Sequence, residues 1–138
     1  MRSFPSRVAV FALVFFPAVS NATSRFDGKW DTILTCEPFK DARGFSWEFT
    51  SEVKDGKLHG LYGTEHLPAS IRIEGPIAED GSAQLIATVW TGDKLYVPGN
   101  DTPKGTEFTY RIQADFKEAD GKGTRIEGRP CTYIFKKN

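Results

Sequence analysis

The amino-acid sequence predicts an all-β fold: an antiparallel up-and-down meander of seven or eight strands closed into a small barrel, with the first and last strands adjacent. Three observations predict it. Apolar and polar residues alternate over most of the chain, turn dipeptides interrupt the alternation, and two cysteines lie near the two ends of the alternating region. Period-two alternation is typical of antiparallel strands with one buried face. A β-sandwich with the same two strands side by side is the alternative.

The first 22 residues precede the predicted domain. Arg2 and Arg7 are followed by the apolar run VAVFALVFFPAV, which ends in small residues at Ser20 and Ala22. This order of basic, apolar and small residues is that of a secretory signal peptide, with cleavage expected after Ala22. The run is shorter than the ~20 residues of a membrane-spanning helix. We therefore predict a signal peptide at 1–22, a single barrel domain at 23–138, a periplasmic or secreted location, and no integral membrane segment in the mature chain.

Chain length and charge limit the classes of partner. Removing 22 of the 138 residues leaves 116, a usual size for one domain. The whole chain has 18 basic and 18 acidic residues, and the loss of Arg2 and Arg7 leaves 16 basic residues against 18 acidic ones. Nucleic acids and anionic membranes select clustered Lys and Arg, which this balance does not supply. We expect no nucleic-acid partner.

Seven predicted strands follow one another along the mature chain. The alternation is clearest in FSWEFTSEV, SIRIEGPI and EFTYRIQADF, each of which puts its apolar residues on one face. The dipeptides Asp55-Gly56, Asp80-Gly81 and Asp120-Gly121 interrupt it, and such dipeptides favour tight hairpin turns between neighbouring strands. One long connection, TGDKLYVPGNDTPKG, is either functional or merely loose. The strands are expected near 27–36, 44–54, 57–63, 70–78, 83–91, 106–117 and 124–136.

Cys36 and Cys131 lie on the first and last predicted strands. In an oxidising compartment an even number of cysteines is most simply explained by a disulfide, which here would enclose nearly the whole domain. A loop of that size contributes about 4 to 5 kcal/mol to stability in the chain-entropy model. The bond makes the first and last strands neighbours, so the meander closes into a barrel without exposed sheet edges. With Cys36 opposite Cys131, Trp30 faces Lys137.

Three segments carry motifs of a known group of β-barrels. FDGKW contains Gly28 and Trp30 as a Gly-x-Trp motif at the start of the first strand, DGKLHGLYG has a turn and a strand that ends in Gly-x-Tyr, and ATVWTGD has Trp90 near a strand end. Over roughly residues 26–92 the chain resembles the calycin barrels, the lipocalin and avidin group. The resemblance implies a small ligand-carrying barrel in which Trp30 plugs one end. The chain is also similar to small exported proteins of Gram-negative bacteria with an Arg-Pro-Cys near the end, a likeness that implies no activity.

Two details of the calycin pattern differ in this chain. Lipocalins pack an Arg of the last strand over the first-strand Trp, and the candidates here are Arg125 and Arg129. The register that the cysteines imply puts both toward the end of the barrel away from Trp30. Avidins carry small polar ligand groups after the Trp, where this chain reads DTIL. We therefore do not expect biotin binding.

Aromatic residues make up 13% of the chain, and several share a face with the core pattern. Four phenylalanines are expected in the core, because rings of this size fill small barrels: Phe45, Phe49, Phe108 and Phe116. Tryptophan and tyrosine have a polar group that can meet either a core partner or a ligand. Core packing is the favoured interpretation of these residues, and a pocket gated by the long loop is the other. The candidate ligand-binding residues are Trp47, Tyr62, Trp90 and Tyr110, with Tyr96 in the loop.

The residues available for catalysis or metal binding are few. His59, Glu65 and His66 lie in LHGLYGTEHLP, and imidazole and carboxylate groups suit zinc, but their spacing on a bent strand gives them no fixed relation. No serine lies in a Gly-x-Ser-x-Gly context, and the predicted disulfide leaves no free cysteine as a nucleophile. We predict no catalytic residue, no metal site and no cofactor, and an enzyme is the third choice of function.

Two classes of function come before an enzyme. The first is a non-enzymatic binding or protein-interaction module, such as an envelope accessory protein or an inhibitor. It is favoured because 116 residues in seven or eight strands, with this many rings, leave little interior space. The alternative is a carrier of a small apolar or amphipathic ligand in a calycin-like barrel. The partner is accordingly a protein or a small molecule, and an interior without a cavity above ~100 Å³ would exclude the carrier.

Overall fold

The computed structural model describes residues 3, 10–13, 24–99 and 101–138. Of the predicted signal peptide it describes residues 3 and 10–13, and the expected cleavage point at Ala22 lies outside the described residues. The signal peptide therefore stays a prediction. Within the described residues, no helix is long and apolar enough to cross a membrane.

In the part of the chain that the structure describes, eight antiparallel strands form one closed barrel. Each strand pairs with the next along the chain, and the last pairs with the first, which confirms the predicted meander and its closure. The alternative β-sandwich is wrong. One short 3-10 helix, Lys94–Tyr96, lies between the fifth and sixth strands. The strands are β1 Gly28–Cys36, β2 Phe45–Lys54, β3 Lys57–Tyr62, β4 Ser70–Pro76, β5 Ser82–Trp90, β6 Glu107–Phe116, β7 Asp120–Arg125 and β8 Cys131–Lys137.

The β1–β8 pairing has the register predicted from the cysteines. Cys36 lies opposite Cys131 and is bonded to it by a disulfide across 95 residues of sequence. Six residues earlier on β1, Trp30 lies opposite Lys137. The covalent bond thus joins the first and last strands of the barrel at the end away from Trp30.

Alternation along the strands puts the predicted faces inside the barrel. On β2 the odd-numbered residues from Phe45 to Val53 face inward and the even-numbered residues are exposed. On β6 the inward set is the even-numbered one, Ile112, Ala114 and Phe116. The core fills the end that holds Trp30. There the Phe116 ring centroid lies 5.4 Å from that of Trp30 and 4.8 Å from that of Phe135. Four rings at this end are fully or almost fully buried: Phe26, Trp30, Phe116 and Phe135.

Glycines on the inner face leave space for these rings and for a buried polar pair. A Cβ atom at Gly121 would lie 2.7 Å from the ring of Phe116. A Cβ atom at Gly60 would lie 2.3 Å from the hydroxyl of Ser51, which forms a 2.8 Å hydrogen bond with Thr32 inside the barrel. The close packing of protein interiors does not admit a methyl group at either position.

Two predicted features near the end of the chain are wrong. The strand predicted at 124–136 is two strands, because the chain turns at 126–130 between β7 and β8. The Asp120-Gly121 dipeptide is not a turn, since Asp120 begins β7 and the turn precedes it, closed by a 2.7 Å bond from the Lys117 N–H to the Asp120 carbonyl. By contrast, Asp55-Gly56 is a hairpin turn with positive φ at both residues, as predicted.

Candidate ligand-binding cavity

The end of the barrel away from Trp30 contains a cavity of about 800 Å³. Ligand pockets in proteins are typically about 300 to 1,000 Å³ and mostly apolar. The strands supply an apolar wall, and the β5–β6 loop, described at residues 91–99 and 101–106, covers part of the mouth. Apolar side chains of the wall include Leu34, Phe45, Trp47, Ile71, Val89 and Phe108.

The expectation of a filled interior is therefore wrong. The inward positions of β1 and β8 near the mouth are Cys36 and Cys131, which are small compared with the rings at the other end. Phe45 and Phe108, predicted as core residues, line the cavity, and Phe108 is 36% exposed. Because these two rings lie along the wall, the interior between them stays open.

Four of the five predicted ligand-binding residues line this cavity. They are Trp47, Trp90, Tyr96 and Tyr110. Tyr62 is not part of the lining, and its ring stacks on that of Trp47 with 4.5 Å between centroids and 11° between planes. Tyr62 belongs to the inward-facing set of β3 with Leu58 and Gly60, and its ring packs between the cavity wall and the core, against Trp47 and Phe49.

Trp90 borders the cavity from the outer face of β5. The alternation of this strand turns Ala87 and Val89 inward, so Trp90 belongs to the opposite set. It is nevertheless 2% exposed, because the His66 ring lies 4.8 Å from its ring and the Arg72 guanidinium carbon lies 5.6 Å from it. Trp90 is therefore mainly part of the barrel wall beside the mouth, and its ring does not point into the interior.

Trp30 lies in the core at the closed end and is not part of the cavity lining. Its indole N–H donates a 2.8 Å hydrogen bond to the Phe26 carbonyl. The cation nearest its ring is Lys137, whose Nζ lies 5.8 Å from the ring centroid. Arg125 and Arg129, the two candidates for this contact, line the cavity instead. The predicted register thus separates both arginines from Trp30.

Arg129 connects three segments around the mouth. Its Nε donates a 2.9 Å bond to the Glu37 carbonyl, its Nη1 a 2.7 Å bond to the Tyr96 carbonyl, and its Nη2 a bond to the Arg43 carbonyl. Burial lowers the pKa of this guanidinium, and the charge of nearby Arg125 lowers it further. The three carbonyl dipoles stabilise the buried cation.

The β5–β6 loop has further bonds to the β1–β2 connection. The Arg43 N–H donates a 2.8 Å bond to the Leu95 carbonyl, and the Gly99 N–H donates a 2.9 Å bond to the Asp41 carboxylate. Asp93 accepts a 2.9 Å bond from the Leu95 N–H at the start of the 3-10 helix. These contacts, together with Arg129, hold the loop at the mouth of the cavity.

Arg125 was missed as a site residue, because sequence reasoning considered it only as a partner for Trp30. It ends the inward-facing series of Gly121 and Gly123 on β7, and its guanidinium carbon lies 4.3 Å from the ring centroid of Tyr110. Its Nε donates a 2.6 Å bond to the Glu127 carbonyl. The alternation of β7, read outward from its two glycines, is the signal that could have placed it inside.

Two tyrosine hydroxyls meet beneath Arg125. Tyr110 and Tyr133 form a hydrogen bond to each other through their hydroxyl groups. Burial raises the pKa of both phenols, and the pKa of Tyr133 lies well above its ordinary value. Both hydroxyls are therefore protonated at neutral pH and can act as hydrogen-bond donors.

The structure does not assemble His59, Glu65 and His66 into one site. Glu65 pairs with Arg72, the His66 ring packs against Trp90, and His59 is exposed on β3. In the part of the chain that the structure describes, no three His, Cys, Asp or Glu side chains are positioned to hold a metal ion.

Neither a protein family, nor a curated protein, nor a solved structure matches this chain. The resemblance to calycin barrels stays a prediction. The cavity at the open end is the feature from which a function can be proposed.

Proposed function

We propose that this protein is an exported, non-enzymatic binding barrel that carries a small apolar or amphipathic molecule in the cavity at its open end. The observation that carries the proposal is an apolar cavity of about 800 Å³ inside a closed barrel. Burial of apolar ligand surface contributes roughly 25 cal/mol per Å² removed from water, so a wall of this kind provides affinity by itself. The predicted signal peptide and the disulfide support a location outside the cytoplasm.

The chemistry of the lining supports carriage more than catalysis. Its charged members among the described residues are Asp93, Arg125 and Arg129. Asp93 accepts the Leu95 N–H, and Arg129 is bonded to three carbonyls. A general base needs a pKa near the working pH, which an arginine or a tyrosine with a raised pKa does not have. Binding is the activity that this set of groups favours.

A matched pair of variants on β5 tests the proposal. Val89 faces the cavity, whereas Ile86 is exposed on the outer face of the same strand. Val89→Trp should fill part of the cavity, and Ile86→Trp adds the same ring outside it. The probe is N-phenyl-1-naphthylamine, a neutral molecule whose fluorescence increases in apolar surroundings. We expect saturable binding to the wild type and to Ile86→Trp, and binding to Val89→Trp weaker by about tenfold or more.

The outcomes of this titration are distinct. Loss of binding in Val89→Trp alone supports a ligand inside the barrel. Equal binding by all three proteins would mean that the probe binds on the surface and not in the cavity, which would contradict the proposal. An absence of binding to the wild type would contradict it as well. Far-ultraviolet circular dichroism and the melting temperature of each variant show whether the barrel is intact.

A protein-interaction module is the second candidate, favoured by apolar residues that are exposed near the mouth. Leu67, Leu95 and Tyr96 are 54%, 43% and 41% exposed. Exposed apolar residues gathered at one end of a domain are a common feature of interaction sites. Native mass spectrometry of the protein purified from the exporting cell separates the two candidates. A small molecule that co-purifies at one per chain favours the carrier, and a co-purifying protein that Leu95→Asp releases favours the module.

A further inference from the structure

The barrel wall has a gap between β6 and β7. β6 extends from Glu107 to Phe116, but it pairs with β7 only from Ile112 onward. Beyond that point, among the described residues, a single 3.0 Å backbone bond from the Ile126 N–H to the Arg111 carbonyl continues the contact. β7 ends at Arg125, so the wall is incomplete beside the cavity.

Arg125 lies in this gap. An outer groove of about 540 Å³ runs along the gap on the outside of the barrel. The cavity and the groove share three lining residues: Tyr110, Arg125 and Gly128. The guanidinium of Arg125 therefore borders both the apolar interior and a groove open to water.

The charge of Arg125 is not balanced by an acid. Among the residues that the structure describes, no carboxylate lies within 4 Å of its guanidinium, whereas Arg72 pairs with Glu65 and Arg111 with Glu127. Asp93, the acid on the cavity lining, is bonded to the Leu95 N–H. The ring of Tyr110 stabilises the cation in part, but a half-buried charge without a counter-ion favours a bound anion.

Arg125 also has free donors in a suitable arrangement. Its Nε is bonded to the Glu127 carbonyl, and neither of its Nη groups has a hydrogen-bond partner among the described residues. Paired N–H groups of a guanidinium match the two oxygens of a carboxylate. Tyr110 and Tyr133 share one hydrogen bond, so one O–H proton of this pair remains available for an acceptor beside Arg125.

We infer that Arg125 binds the carboxylate head group of a single-chain amphiphile whose chain lies in the cavity. The gap between β6 and β7 keeps that head group in contact with water, so the carboxylate retains part of its hydration while the chain is buried. The inference rests on the proposed carrier function and adds the chemical class of the ligand. An apolar cavity alone would bind an alcohol as readily as an acid of the same chain length, and Arg125 supplies the difference.

Dodecanoate and 1-dodecanol form the probe pair for this inference, because they share a twelve-carbon chain and differ in the head group. Each is titrated at pH 7.5 against the bound N-phenyl-1-naphthylamine, which reports displacement. Arg125→Gln should weaken dodecanoate binding about tenfold to hundredfold, the usual value of a charge-assisted hydrogen bond, and change 1-dodecanol binding less than about threefold. Arg125→Lys keeps the charge without the planar guanidinium, so its affinity for dodecanoate should lie between those of the wild type and Arg125→Gln.

Arg25→Gln is the matched control, since Arg25 lies at the closed end of the barrel, where its guanidinium carbon is 4.6 Å from the ring centroid of Phe26 and its side chain is half exposed. We expect it to leave the affinities of both ligands within about twofold of the wild type. Retained 1-dodecanol binding shows that Arg125→Gln is folded.

The inference is overturned if Arg125→Gln weakens the binding of dodecanoate and 1-dodecanol equally, or changes the binding of neither. The carrier function would stand in both cases. If the neutral probe and 1-dodecanol do not bind the wild type at all, the carrier function fails and the head-group assignment fails with it. A loss confined to dodecanoate in Arg125→Gln, and absent from Arg25→Gln, supports the inference.

Discussion

Tyr110 and Tyr133 bring two phenol hydroxyls into contact within the barrel wall. Burial raises the pKa of both groups, because a phenolate loses its hydration there. The unfolded chain releases its tyrosine protons near pH 10, and the folded chain holds these two protons to higher pH. The contribution of the pair to stability is therefore complete below about pH 10 and is lost as the pH rises above it.

This pair predicts the alkaline limit of stability. The free energy of unfolding, measured in urea from pH 8 to 11, should fall above about pH 10, by up to about 1.4 kcal/mol per pH unit for each tyrosine. The double variant Tyr110→Phe, Tyr133→Phe should fall less steeply, because phenylalanine does not titrate. Equal slopes in the double variant and the wild type would contradict the burial argument.

Individual side chains differ in how well the sequence predicts them. Trp47 and Tyr110 are assigned to the inner face correctly, because period-two alternation fixes the face of each residue once the strand is known. Trp90 belongs to the outer set of β5, yet His66 and Arg72 bury it, and those contacts come from a loop and a neighbouring strand. Arg125 is inside despite its charge, because the gap beside it gives the guanidinium access to water. Such contacts depend on tertiary structure.

The β5–β6 loop, described at residues 91–99 and 101–106, covers part of the cavity mouth. Its position depends on Arg129, which lies outside the loop and bonds to the Tyr96 carbonyl. The same guanidinium bonds to the Glu37 and Arg43 carbonyls in the β1–β2 connection. One side chain therefore holds both connections at the mouth.

Removal of this side chain should affect stability and the loop together. Arg129→Gln leaves three carbonyls of part-buried hydrogen bonds without their donor, so we expect the free energy of unfolding to fall by about 1–3 kcal/mol. Amide hydrogen exchange in residues 91–99 should become faster, because the loop loses its contact at Tyr96. Arg111→Gln removes an exposed ion pair and should cost less than about 1 kcal/mol. If the exchange rates in Arg129→Gln are unchanged, the other contacts of the loop, and not Arg129, hold it in position.

Strand order is easier to predict than strand ends. Asp55-Gly56 forms the predicted turn because both residues adopt positive φ in a two-residue hairpin. Asp120-Gly121 has the same chemistry, but Gly121 lies on the strand beneath the Phe116 ring, where a side chain would not fit. A glycine selected for space cannot be distinguished in one sequence from a glycine selected for a turn.

The Cys36–Cys131 bond joins the first and last strands of the barrel. It closes a loop of nearly the whole domain, so it strongly reduces the conformational entropy of the unfolded chain. The variant Cys36→Ala, Cys131→Ala should lower the free energy of unfolding by about 2 to 5 kcal/mol. Because both cysteines line the cavity, the variant should also bind the neutral probe with altered affinity. A melting temperature that dithiothreitol leaves unchanged in the wild type would contradict this contribution.

At the scale of the whole molecule, closure is predictable and the interior is not. Two cysteines on the first and last strands specify the neighbours and the register, since an antiparallel pair leaves one arrangement for the residues between them. The size of the interior depends on the direction of each ring. Phe116 and Phe135 fill one end, whereas Phe45 and Phe108 lie along the wall at the other. Counting aromatic residues does not distinguish these two cases.

The central claim is that the open end of the barrel buries an apolar chain. The most direct test is a displacement titration of the wild-type protein with 1-octanol, 1-decanol and 1-dodecanol. Burial of one methylene group contributes about 0.8 kcal/mol, so each added pair should tighten binding about tenfold, at one molecule per chain. Affinities that are equal for the three alcohols, or binding that does not saturate at one molecule per chain, would contradict the claim.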